Sequence, residues 1–175
     1  MSTPIIRPAT EADMPSIAAI YGETVRNGSA TFEIDAPDVS EVTARWRHLV
    51  DAGYPFLVAE RDRVLGYACA GPYHTRPAYR HTVEDSIYLD SSARRAGIGT
   101  TLLTALVAQA EARGFRQMIA LIGDSANAPS IRLHARCGFR PVGIYHDVGW
   151  KHARWLDVVL MQRQLGAGGS TPPAA

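Results

Sequence analysis

The chain has 175 residues, enough for one domain with a sizeable core, and its 46% hydrophobic and 20% charged composition is that of a globular protein. Eighteen Lys and Arg against 17 Asp and Glu leave a formal charge of +1, which argues against a nucleic-acid binder working through bulk charge. No apolar run reaches bilayer length and Met1-Ser2-Thr3-Pro4 lacks the features of a signal peptide, so a cytoplasmic protein is expected. Cys69 and Cys137 stand far apart without metal-site or disulfide-framework spacing.

Ile5-Ile6-Arg7 reads as a short strand, and Thr10-Glu11-Ala12-Asp13 as a capped helix start. The first helix is expected to reach about Val25, with Met14, Ile17, Ala18, Ile20 and Tyr21 on its apolar face and Asn27-Gly28 as its end. In the loop that follows, Phe32 is either loop packing or part of a binding pocket. Val39, Val42, Trp46, Leu49 and Val50 mark a second helix. Residues 56–60 and 64–70 flank Arg61-Asp62-Arg63 as a β-hairpin. Gly71-Pro72 ends it, and a loop bearing Tyr73, His74, Arg76, Tyr79, Arg80 and His81 leads into the next strand, Val83 to Leu89.

That strand ends in Asp90-Ser91-Ser92 and is followed by Arg94-Arg95-Ala96-Gly97-Ile98-Gly99. A helix follows, since Ile98, Leu102, Leu103, Leu106, Val107 and Ala110 recur as a core-facing stripe and Gly114 stands where a left-handed cap would close it. A glycine turn between strand and helix aims free N–H groups and the positive end of the helix dipole at one point, which suits a phosphate. An ordinary glycine turn with two solvated arginines would carry the same six residues.

Met118 to Ile122 is nearly all apolar, as for a strand buried on both faces. Asn127-Ala128-Pro129-Ser130 opens a helix from Ile131 to Cys137, closed by Gly138. Phe139 to Tyr145 and Trp155 to Gln162 are strands, joined by a connection over residues 146–152. Gly166 to Ala175, rich in Gly, Pro, Ser and Ala, is expected to be a disordered tail after a single domain of residues 1–165. The order β-α-α-β-β-β-α-β-α-β-β predicts a mixed α/β fold around a central sheet. The six histidines show no ligand pattern, and no metal is expected.

The chain resembles the GCN5-related N-acetyltransferase (GNAT) superfamily. Arg94 to Gly99 match that family's Arg/Gln-x-x-Gly-x-Gly/Ala pyrophosphate loop, and Asn127 with Leu133-His134-Ala135-Arg136-Cys137-Gly138-Phe139 match its later signature. Arg76 to Glu84, Ser130 to His134 and Gly149 to Val158 are closer still to the phosphinothricin and methionine sulfoximine N-acetyltransferases within it. The resemblance implies a mostly antiparallel, splayed sheet of about seven strands flanked by about four helices, and acetyl-CoA as cosubstrate. It implies an acetyl transfer to the α-amine of a small amino acid or analogue.

Direct attack on a thioester needs a neutral amine, so something must accept its proton. The resemblance implies Glu84 as that base, through a water, and His134 as the acid for the departing thiolate, where many relatives carry Tyr. Main-chain groups of Ile87, Tyr88 and Leu89 would pair with pantetheine, Arg94, Arg95, Ala96, Gly97, Ile98, Gly99 and Thr100 would take the pyrophosphate, and Asn127 and Ser130 would lie along the arm. Arg76 and Arg80 would hold a substrate carboxylate, with Tyr79 and Phe32 shaping the pocket. A homodimer through the late strands is implied as well. The alternatives are a peptide or protein N-terminal acetyltransferase and an acetyl-CoA-binding module without turnover.

Overall fold

The computed structural model describes residues 4–173. Seven strands form one sheet: β1 (Ile5–Pro8), β2 (Phe56–Glu60), β3 (Val64–Pro72), β4 (Thr82–Leu89), β5 (Gln117–Gly123), β6 (Arg140–Lys151) and β7 (Arg154–Gln164). The helices are α1 (Met14–Asn27), α2 (Val39–Asp51), α3 (Ile98–Ala112) and α4 (Ala128–Arg136). The sheet order is β1-β2-β3-β4-β5-β7-β6, antiparallel throughout except between β4 and β5, which α3 connects as a crossover.

Alternation along β2 and β3 sends side chains into two cores. Leu57, Ala59, Ala68 and Ala70 face α3, whose Leu102, Leu103, Leu106 and Ala110 are fully buried against Val83, Met118 and Met161. Phe56, Val58, Val64 and Tyr67 face α1, where Met14, Ile17, Ile20, Tyr21 and Val25 fill the opposite layer. Strands between two apolar layers read as continuous apolar runs, which is what residues 56–59 and 64–70 show. The stripe predicted for α3 is buried as predicted, and Gly97 at its N-cap has φ +78°, a conformation glycine adopts without a Cβ penalty.

Two expectations change. Residues 146–151 are strand, not connection: β6 runs to Lys151, and His152 and Ala153, both at positive φ, form a two-residue hairpin turn. The register is irregular between Tyr145 and Gly149, where Asp147 takes φ +54° and its N–H donates to Asp157 Oδ1 at 3.1 Å. Such a bulge breaks the two-residue alternation by which a strand is read. The second change is in β5, which is not buried on both faces: Ile119 is half-buried and Leu121 is 39% exposed, because β4 departs from it at that point.

Residues 166–173 run as turns, with Arg116 donating to the carbonyls of Gly168 and Pro172 and to the Thr171 hydroxyl. The last two residues of the expected tail lie outside the described residues. Among the described residues no helix is long and apolar enough to cross a membrane.

Candidate active site

β4 and β5 pair through three registers only: Thr82 with Gln117, Val83 with Met118 and Glu84 with Ile119. Past Glu84 they part, while β4 stays bonded to β3 on its other edge and β5 to β7. The splay leaves two facing strand edges without a strand partner across the gap, which suits an extended, amide-bearing ligand arm that can pair as a strand would. A cleft of about 360 Å³ opens there, walled by residues 84–88, residues 120–123, the loop residues Thr31 and Phe32, and Asn127, Ser130 and His134 of the α4 end.

Beyond the cleft's β4 wall the chain runs through Leu89 to the first turn of α3. Arg94, Arg95, Ala96 and Gly97 are exposed there, and Arg95 and Gly97 both have positive φ, so the chain coils tightly before the helix begins. First-turn N–H groups have no intrahelical acceptor and meet the positive end of the dipole. Gly99 serves a separate need: a Cβ there would stand 3.2 Å from Leu133 and 3.3 Å from Leu89, so glycine lets the start of α3 seat against α4 and β4. Ile98 is buried and belongs to the core rather than to an exposed binding surface. Asn127 Oδ1 accepts from the Ser130 N–H at 3.3 Å, capping α4 while both residues line the cleft.

Glu84 is the last paired residue before the splay, half-buried on the α1 face of the sheet. Burial, and then the neighbouring charge of Asp85, pushes its carboxyl up to about 7. Asp85 points to the opposite face, where its Oδ2 lies 3.1 Å from His134 Nε2, while His134 Nδ1 lies 2.8 Å from the Ser130 carbonyl oxygen. His134 is 3% exposed. Burial by itself would lower its basicity, but the hydrogen bond and charge of Asp85, with the Ser130 carbonyl, raise it overall.

The loop carrying Phe32 is clamped over the cleft from the β6–β7 hairpin. Lys151, buried, donates to the Thr31 carbonyl at 2.8 Å, the ring of His152 bonds the Gly28 carbonyl at 3.1 Å, and Asp124 gathers Ser29 at 2.7 Å and Arg154 at 2.5 Å. Arg154 first, with Ser29 and the Ala126 N–H, holds the Asp124 carboxyl below its ordinary value. Phe32 lies against Gly149 and Gly123, and lines the cleft; it is both loop packing and wall. Asp124→Ala removes three hydrogen bonds at a residue 6% exposed. Thermal unfolding is expected to show a loss of about 1–3 kcal/mol in stability.

Of the predicted site residues, the fold brings Phe32, Glu84, Ile87, Tyr88, Asn127, Ser130 and His134 to one cleft. Leu89 and Thr100 are half-buried beyond its end, toward the glycine turn. Arg76, Tyr79 and Arg80 are exposed on the segment leading to Thr82 and are not among the cleft's lining residues. There Tyr79 packs edge-on against His74, with ring centroids 5.0 Å apart, and against Tyr73. Sequence reasoning missed Asp85, Tyr21, Asp124 and Lys151. Asp85 carried a signal, since strand alternation puts it on the inward side with Val83 and Ile87, where an acid needs a partner.

Residues 18–139 match the family model described as Acetyltransferase (GNAT) family. The chain is 50% identical over 169 residues to a phosphinothricin N-acetyltransferase of Alcaligenes faecalis, spanning 96% of this chain and 86% of that one. It is 41% identical over 169 residues to an L-methionine sulfoximine/L-methionine sulfone acetyltransferase of Pseudomonas aeruginosa, spanning 95% and 98%. Among solved structures, a GNAT superfamily phosphinothricin acetyltransferase from Sinorhizobium meliloti in complex with AcCoA superposes with a TM-score of 0.96 at 46% identity, covering 99% of this chain and 94% of that one.

Proposed function

Because the chain belongs to the GNAT acetyltransferase family, we propose that it moves the acetyl group of acetyl-CoA to the α-amine of a small amino acid or analogue of the phosphinothricin or methionine sulfoximine type. The observation that carries this reading is the splay after Glu84, which sets a carboxyl of raised pKa in a cleft whose β4 wall runs on to the glycine turn.

The residues fit acetyl-CoA. Unpaired backbone edges on β4 and β5 suit a pantetheine arm, and the turn from Arg94 to Thr100 offers first-turn N–H groups and two exposed guanidinium groups to a pyrophosphate. Acetyl-CoA supplies an activated acyl group. Glu84 accepts the proton of the bound ammonium, through a water, so that the nitrogen lone pair can attack. His134, holding a proton inside the cleft wall, is the acid on the side of the departing thiol. Arg76 and Arg80, with Tyr79, stand on the segment that enters β4 two residues before Glu84 and take the substrate carboxylate from the rim, while Phe32 closes the opposite wall.

Val142, Ile144, Tyr145, Val148, Trp150 and Trp155 are each 46–61% exposed on β6 and β7. That row on a sheet edge, with the two tryptophan rings 5.2 Å apart, supports a homodimer through the late strands. A dimer mass by light scattering that falls to the monomer in Trp150→Ser supports this; a monomeric parent chain refutes it.

A thiol-release screen with acetyl-CoA over amino acids and their sulfoximine, sulfone and phosphinate analogues tests the activity. Release with one of these classes is the expected result. Release only with peptide N-termini would replace the small-acid reading. Calorimetric binding of acetyl-CoA with no release from any acceptor would leave a binding module.

A further inference from the structure

We propose that Asp85 is a positioning residue of the acetyl transfer, fixing both the orientation and the charge of His134 from the face of the sheet opposite Glu84. The proposal rests on the acetyltransferase reading for its kinetic consequence but not for its geometry. The Asp85 side chain is 1% exposed, and its only ion-pair partner among the described residues is His134, itself 4% exposed at the side chain. Asp85 Oδ1 is buried with no hydrogen-bond partner, so the carboxylate leans on the imidazole alone.

The ring is held on three sides. A carbonyl oxygen can only accept, so the 2.8 Å approach to Ser130 places a proton on Nδ1. Phe139 packs edge-on at 5.1 Å and 85°. That leaves Nε2 facing the carboxylate, with Asp85 Oδ2 at 3.1 Å. The titratable groups in the field of Asp85 are Glu84 beside it on β4, Cys69 on β3 and Cys137 at the end of α4, none of them cationic. Arg163 bears on Cys137, not on Asp85. With no other ion-pair partner for Asp85 among the described residues, its charge works on His134 and raises the basicity of the ring.

Asp85→Asn separates charge from shape. An amide N–H can donate to the Nε2 lone pair while Nδ1 still donates to Ser130, leaving the ring in place but neutral. The expected result is a fall in kcat of about 10–100-fold, with KM for acetyl-CoA within about threefold and the alkaline limb of the kcat–pH profile moved to lower pH. In a His134→Gln background the same change is expected to add little.

The ring itself is read without turnover by nitrogen-15 NMR of the unaltered protein. Both ring nitrogens are expected to stay protonated to higher pH than in a solvent-exposed histidine, and that shift is expected to be lost in Asp85→Asn. A ring that deprotonates no later than a solvent-exposed histidine in the unaltered protein overturns the proposal, as does an Asp85→Asn enzyme with an unchanged pH profile. A protein that shows the protonated ring but no thiol release with any acceptor would instead count against the enzymatic reading, so the two failures are distinct.

Discussion

Glu84→Gln is expected to lower kcat by about 10²–10⁴-fold while calorimetric acetyl-CoA binding stays within about threefold. The effect follows from matched proton affinities. The α-ammonium of a free amino acid is less acidic than a peptide N-terminus near 7.7–8, so giving its proton to a carboxylate of ordinary pKa, near 4.3, costs more than about 5 kcal/mol. With Glu84 raised to about 7 by its burial and then by the charge of Asp85, that cost falls by about 3–4 kcal/mol. In the parent enzyme kcat/KM should therefore rise with pH through about 7 and level off above it, and Glu84→Gln should abolish that limb. Activity persisting in the Gln variant with the limb intact would remove Glu84 as the base.

The same shift has a consequence for stability. A carboxyl whose folded pKa lies above its unfolded value of 4.5 gives stability that is fully present below 4.5 and lost as pH rises through about 7. Above pH 7 the folded chain therefore carries a half-buried carboxylate that Gln would relieve. Glu84→Gln should melt higher than the parent at pH 8, by about 1–2 kcal/mol after allowance for solvent screening, and no higher at pH 4. A gain in stability at the site where activity is lost is the pattern expected of a group held for chemistry.

Much of this site is legible in the amino-acid sequence because its signals are local. The stripe from Ile98 to Ala110 sets the face of α3, and Gly97 and Gly99 mark a turn in which the fold gives each glycine its own reason: one needs a positive φ, the other a close approach to Leu133 and Leu89. Pattern places Glu84 at a strand start, and resemblance makes it the base. What sets it apart, the loss of pairing with β5 after Ile119, is a relation between strands 35 residues apart and leaves no mark on either strand alone. For the same reason Leu121 reads as core although its face looks into the cleft.

The stretch from His146 to His152 misleads in a different way. Its polar residues and Gly149 resemble a connection because a bulge shifts the alternation, and two non-glycine residues at positive φ make the turn that glycine or asparagine would have announced. Lys151 and Asp124, which lock the Phe32 loop, sit in partnerships spanning 120 and 95 residues. The pairing of Asp85 with His134 spans 49. Polar contacts of that reach are set by topology, and only the need of an inward-facing acid for a partner points toward one of them.

Gly149→Ala is expected to raise KM for the acceptor amine by about tenfold or more and to lower stability by about 1–3 kcal/mol, with KM for acetyl-CoA little changed. A Cβ on Gly149 would fall inside van der Waals contact with three atoms of the Phe32 ring. The ring has little room to retreat. Gly123 on β5 lies so near that an added Cβ would stand 3.2 Å from it, and the loop behind it is held by the bonds from Lys151, His152 and, through Ser29, Asp124. Displacement must therefore push the phenyl group into the cleft or lift the loop that bounds it, and either change acts at the acceptor end, away from the glycine turn at Arg94 to Thr100. Shortening the ring in Gly149→Ala/Phe32→Leu should recover the stability without restoring the KM, since the clash goes but the aromatic wall goes with it. Unchanged acceptor KM in Gly149→Ala, with the stability loss present, would show that Phe32 packs the loop without shaping the pocket.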